Sequence, residues 1–265
     1  MAITAANIIT RVQALLQDDT GIRWPSTELL LWISDAQREI CLLKPDASAI
    51  NDIVKLRANT TKQTMSGVQT SGSSVPTGNR FLRVIRNIHT TDYADNTGNG
   101  AGRSIRLVSR RVLDSQFPDW HDPSVVQGTD AQFVDTGENI KHYVFDEIDP
   151  TTFYVFPGVK ASANVFIEIV YSGVPADVAA TTDAIDIPDV YANCITDYVC
   201  YRAFSKEADY AANAQRAQSH YQQFASALGV KNTGDVGTSP NVTVNFERGE
   251  TGNPTITGAG AVETG

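Results

Sequence analysis

The stretch Val190-Tyr191-Ala192-Asn193-Cys194-Ile195-Thr196-Asp197-Tyr198-Val199-Cys200-Tyr201-Arg202-Ala203-Phe204, opened by Ile187-Pro188-Asp189, decides the fold class. Its apolar residues recur at helical spacing yet fill almost the whole circumference. A helix without a polar face is buried on more than one side, so other elements have to enclose it. Pro188 is tolerated in a first turn, and Asp186 is placed to cap. Downstream, Asp209 opens a further helix with Ala214, Ala217, Tyr221, Phe224 and Leu228 on one stripe, closed by Gly229.

The partners for that buried helix lie at the other end of the chain. Ile8, Val12, Leu15 and Leu16 are spaced as one face of an amphipathic helix, which Asp18–Gly21 breaks. Pro25 and Ser26 suit the first turn of a second helix, with Glu28 at the positive end of its dipole. Leu29, Ile33, Ala36, Ile40 and Leu43 run down one face of it, and Pro45 ends it.

Between the two helical pairs the pattern changes. Ile53–Arg57, Phe81–His89, Ser104–Ser109, His142–Phe145, Thr152–Phe156 and Val165–Tyr171 are short and rich in β-branched and aromatic residues. Turn-forming clusters such as Ser71–Ser74, Asn96–Gly100, Asp149-Pro150 and Pro157-Gly158 separate them. The expectation is an α+β fold: a four-helix bundle built from both chain ends, with an inserted antiparallel β domain and an extended C-terminal arm. The boundaries are 1–50 for the first helical hairpin, 51–180 for the β domain, 181–230 for the second hairpin and 231–265 for the arm. In that arm Val242, Val244 and Phe246 alternate with polar residues like a single strand. A lone strand leaves its backbone groups unpaired, which favours docking on another chain.

The chain has 265 residues, 42% of them hydrophobic and 19% charged, and a formal net charge of -9. Acidity disfavours tight DNA binding, which draws on Lys and Arg at phosphates, and disfavours an anionic membrane surface. It suits a surface along which DNA passes without sticking. The three cysteines, Cys41, Cys194 and Cys200, form no disulfide framework and fit a reducing cytosol. The N-terminal residues lack the pattern of a signal peptide, and no apolar stretch approaches the roughly 20 residues of a membrane helix. The expected protein is soluble and unexported.

Three features invite chemistry. Asp119-Trp120-His121-Asp122 places a histidine among carboxylates, but adjacent loop residues point apart and no second ligand group recurs at metal spacing. Trp120 reads first as a packing anchor. Gly98, Gly100 and Gly102 mimic a phosphate loop, yet strand-like sequence flanks them on both sides, so they read as a hairpin tip. Arg83, Arg86, Arg103, Arg106, Arg110 and Arg111 are a local basic enrichment in an acidic chain. Such arginines more often pair with acids of a neighbouring domain or subunit than with DNA phosphates, which makes Arg83, Arg86, Arg103, Arg106 and Trp120 candidates for a subunit interface. No catalytic residue, cofactor site or metal site is expected.

Five stretches taken together resemble the head-to-tail adaptor (connector, head-completion) proteins of tailed phages. They are Ile22-Arg23-Trp24 with Glu28–Ile33 and Asp35–Ile40; Phe81–Asn87; Pro118–His121; His142–Asp146 with Asp149–Pro157; and Pro188–Ala192 with Asp197-Tyr198, Tyr201–Lys206 and Ala208–Phe224. The resemblance runs in order over roughly residues 1 to 230 and leaves the tail uncovered. It departs from the family pattern at Pro25, where a capping Thr or Ser is usual, and at Ala58–Thr61, where a Gly-containing turn is usual.

The resemblance implies a structural, non-enzymatic virion protein made in the host cytoplasm and residing in the particle's neck. Its partners would be the portal, a tail or neck protein, copies of itself in a ring, typically dodecameric, and double-stranded DNA passing without sequence-specific contact. A C-terminal arm reaching into the portal would suit Val242, Val244 and Phe246. Two other classes compete. A carbohydrate- or receptor-binding tail module would use an aromatic platform around Trp120. A hydrolase would act through His121 with Asp119 or Asp122.

Overall fold

The computed structural model describes residues 3–70, 78–88, 102–122, 139–146, 148–161, 164–207, 211–238, 247–248 and 254–255. Five helices occur among them: α1 (Ala5–Leu16), α2 (Ser26–Leu43), α3 (Arg110–Gln116), α4 (Ala192–Lys206) and α5 (Ala211–Thr238). The strands are β1 (Ala49–Lys55), β2 (Thr60–Thr64), β3 (Gln69–Thr70), β4 (Gly78–Ile88), β5 (Arg106–Leu107), β6 (His142–Phe145), β7 (Thr152–Val159), β8 (Phe166–Gly173), β9 (Glu247–Arg248) and β10 (Pro254–Thr255).

Helix α4 is the hub of the helical unit. Its all-round apolar surface is buried because α1 and α2 pack on it from one side and α5 from another. Ile8, Val12, Leu29, Ile33, Ile40, Ile195, Val199 and Phe224 share one core there. The expected four-helix bundle is not what forms. Helix α5 rests on α4 through Ala217, Phe224 and Leu228, a stripe wide enough for one neighbour, and makes at most slight contact with α1 or α2. A bundle helix has to face two neighbours, which needs a broader apolar face. The loop that returns from β8 to α4, residues 176–189, covers part of the core instead, inserting Val178, Ile185 and Ile187.

That loop, here called the strap, is held by polar groups on α2 and at the start of α1. Ser34 Oγ accepts the Val178 N–H (3.0 Å), and Gln37 Oε1 accepts the Asp186 N–H (2.9 Å). The backbone N–H groups of Ala5 and Ala6 donate to the carbonyls of Asp183 (2.9 Å) and Thr181 (2.8 Å). Asp186 therefore does not cap α4; its carboxylate accepts the Ala176 N–H (2.6 Å), and α4 is entered from Pro188 through the 3-10 turn Asp189–Tyr191.

The helix expected to close at Gly229 continues to Thr238. A glycine in a helix interior costs about 1 kcal/mol relative to alanine but does not by itself end the helix. Beyond it, Glu247–Arg248 pairs antiparallel with Pro254–Thr255.

The β unit has two four-stranded sheets, in the orders β3-β1-β8-β4 and β2-β7-β6-β5. Both supply one core: Val54, Phe81, Ile167 and Ile169 from the first sheet, Tyr143, Phe153 and Val155 from the second. Phe81 stacks on Phe153 with ring centroids 4.6 Å apart, joining the sheets. Pairing is antiparallel as expected except for β5, which runs parallel to β6. The expected strand Ser104–Ser109 shrinks to Arg106–Leu107, with Ser104 bridged to Arg86, and α3 begins at Arg110.

Candidate functional site

The basic enrichment read from the sequence is built around one buried asparagine. Asn87 is fully buried on β4. Its Oδ1 accepts the Ile140 N–H (2.7 Å), and its Nδ2 donates to the carbonyls of Ile140 (2.7 Å) and Arg103 (3.0 Å). Its own backbone N–H donates to the Arg103 carbonyl as well (2.9 Å). One side chain thus ties β4 to the segments that lead into β5 and β6. The approach is close enough to exclude any side chain at Gly102, where a Cβ would lie 1.6 Å from the Asn87 carbonyl oxygen. A strand, not a helix, follows Gly102, so the glycine serves packing and opens no phosphate loop; Gly98 and Gly100 lie outside the described residues.

This arrangement sets Arg83 on β4 and Arg103 and Arg106 at β5 in exposed positions. Burial, together with the positive charges of Arg106, Lys141 and Arg103, pushes His142 below the usual histidine range, which places those cations around one ring. No described carboxylate forms an ion pair with Arg83, Arg103 or Arg106. Arg86 behaves differently. Its Nε donates to Glu168 Oε2 (2.5 Å), while Asn51 Nδ2 donates to Glu168 Oε1 (2.7 Å), stitching β4, β8 and β1. Burial raises the Glu168 carboxyl, but the hydrogen bonds from Arg86 and Asn51 outweigh it and hold the group below its ordinary value. The charge of Arg86 is thus neutralised inside its own sheet.

Trp120 lies inside its own copy. It is only 1% exposed, packed with Leu113, Val144 and Phe156, and its Nε1 donates to Asp114 Oδ1 (2.8 Å). An indole so enclosed offers no platform to a sugar or a neighbour. His121 stacks on it at 3.7 Å, and its Nδ1 faces Thr61 Oγ1 (3.5 Å) instead of Asp119 or Asp122, both exposed. Burial and, after it, Arg110 lower His121 below its usual range. Among the described residues no three His, Cys, Asp or Glu side chains converge as a metal site would require. Cys41, Cys194 and Cys200 are buried, and burial pushes each thiol up, Cys200 to about 12. That is opposite to what a reactive thiolate needs.

Two surface features went unread in the sequence. The groove beside β5 has a volume of about 800 Å³ and is lined by Leu107, Val144, Phe145, Ile148 and Tyr154, with Arg110 and Asp149 also in its wall. The strap carries Asp177, Asp183, Asp186 and Asp189 and no lysine or arginine. The signal for the strap was present as an acidic run, but its loop character hid the fact that it forms a surface. Val242, Val244 and Phe246 lie outside the described residues. No described helix is long and apolar enough to cross a membrane.

The chain thus has a helical unit drawn from both of its ends and a β unit between them. The family model described as "SU10 adaptor protein" matches residues 3–244. The chain belongs to the SU10 adaptor family. The match takes in the helical unit, the β unit and the start of the tail. No curated protein matches the chain. As an SU10 adaptor it is a bacteriophage structural protein, a component of the virion.

Proposed function

We propose that this SU10 adaptor assembles as a ring between portal and tail, where it extends the DNA channel and gives the tail a surface to dock on. The observation that carries the reading is the family match over residues 3–244. The acidic balance of -9 supports it, since like charge keeps passing DNA from adhering. Ring closure brings different faces of identical copies together, a head-to-tail contact completed by rotation. The segment with Val242, Val244 and Phe246 docks on the portal and orders there, so the portal templates the ring. The reading involves no catalysis, and DNA meets the channel without base-specific contact.

The test is electron microscopy of portal-bearing heads mixed with the full chain or with a chain lacking residues 239–265. The full chain should add a ring of density at the portal vertex. The truncated chain should stay folded by circular dichroism and fail to load. Normal loading of the truncated chain refutes the docking arm, and absence of added density with the full chain refutes the ring.

A further inference from the structure

The ring reading leaves open which two faces of a copy meet, and charge supplies an answer. Arg83, Arg103 and Arg106 stand exposed on the β unit without an ion-pair partner among the described carboxylates. Asn87 and Gly102 fix the backbone that carries Arg103 and leads on to Arg106. The strap is the electrostatic opposite of these arginines. Asp177, Asp186 and Asp189 are exposed there and Asp183 is half-buried.

Among the described residues, Asp177 is the one acid of the four that forms an ion pair, with Arg38. The others are bonded to neutral backbone donors. Asp183 accepts from Ala179 and Ala180 (2.9 and 2.8 Å), Asp186 from Ala176 (2.6 Å), and Asp189 from Ile3 (3.0 Å). An N–H bond orients a carboxylate without cancelling its charge. The strap is therefore a fixed negative surface, and its shape is set by the bonds to α1 and α2.

Resting on the ring reading, we propose that the Arg103–Arg106 face of one copy docks against the Asp177–Asp189 strap of the next. In a chain of net charge -9, two copies repel over most of their surfaces. A local cationic face meeting a local anionic one is how such copies find a single register, because unlike potentials steer encounter and wrong pairings are penalised. Neither face can bind its own kind, so the contact is head-to-tail, as a closed ring requires. Phosphate is the other anion such arginines could take, and the test separates the two.

The experiment uses two variants of the full chain. One carries Arg103→Glu and Arg106→Glu; the other carries Asp177→Lys and Asp186→Lys. Each is checked for native melting and then mixed with portal-bearing heads, with ring occupancy read by electron microscopy and gel densitometry. Each variant alone should lose ring occupancy by about tenfold or more, because every interface then joins like charges. An equimolar mixture should recover it, since alternating copies restore opposite charges at every contact. Wild-type occupancy by either variant alone overturns the proposal, as does a mixture that remains unassembled while both variants melt normally. Loss of DNA retention by the arginine variant in fully occupied rings also overturns it, and reassigns the face to phosphate. Failure of the unaltered chain to form a ring refutes the underlying reading instead.

Discussion

The helical unit and the β unit are held together by different means. In the first, helix packs on helix through periodic apolar side chains, with Ile8, Ile33, Val199 and Phe224 fully enclosed. The buried polar groups Ser34 and Gln37 there bond the strap laid over that core. In the second, an aromatic core is supplemented by buried polar side chains that substitute for missing strand pairs. Gln63 Oε1 accepts the Arg57 N–H (2.8 Å) and its Nε2 donates to the Arg57 carbonyl (3.0 Å), closing the turn between β1 and β2. Asn87 does the same for two segments at once. An apolar core tolerates small changes of shape, whereas a buried amide that loses its partners leaves several backbone groups unsatisfied together.

Substitutions can break or sharpen that contrast. The largest effect is expected from Phe81→Ala, which removes the ring joining the two sheets and should cost about 3–5 kcal/mol, read by chemical denaturation. Asn87→Leu comes next, because it strands the Ile140 N–H and carbonyl, while the Arg103 carbonyl keeps the residue-87 backbone N–H; about 2–3 kcal/mol is expected. If the β unit melts first in that variant, with helical ellipticity retained, the two units are separate cooperative blocks. A single transition would show them to be one. Ile33→Val in the helical core should cost only about 1 kcal/mol.

The smallest effect is on pH dependence. Glu168 is held below its ordinary value of 4.5, so its stabilising contribution is complete above that pH and is lost as pH falls through the folded value. Glu168→Gln should flatten the acid limb of a stability–pH curve while barely changing stability ratios between pH 6 and 8. An unchanged acid limb would show that the Arg86–Glu168–Asn51 bridge contributes nothing.

The same contrast explains what could be read beforehand. Helices α1, α2 and α4 were legible because apolar spacing is a direct consequence of burial on one or more faces. Helix α5 was misjudged at its end because Gly229 is a weak stop in a helix lying on the surface. Strand β2 went unread because Thr61 and Gln63, not apolar residues, turn inward, so no hydropathic alternation marks it. The bundle failed as an expectation because width of stripe, not presence of stripe, decides how many neighbours a helix has. The arginine enrichment was legible as a local run of cations, whereas the partners of Arg86 and Trp120, Glu168 and Asp114, came into view only in the fold.

The bond from the Ile3 N–H to the Asp189 carboxylate (3.0 Å) has a practical consequence for anyone handling this protein. A purification handle fused ahead of Ile3 emerges directly beside the strap and would crowd whatever approaches it. Preparations meant for reconstitution are better made with a cleavable leader, and cleaved and uncleaved material compared side by side.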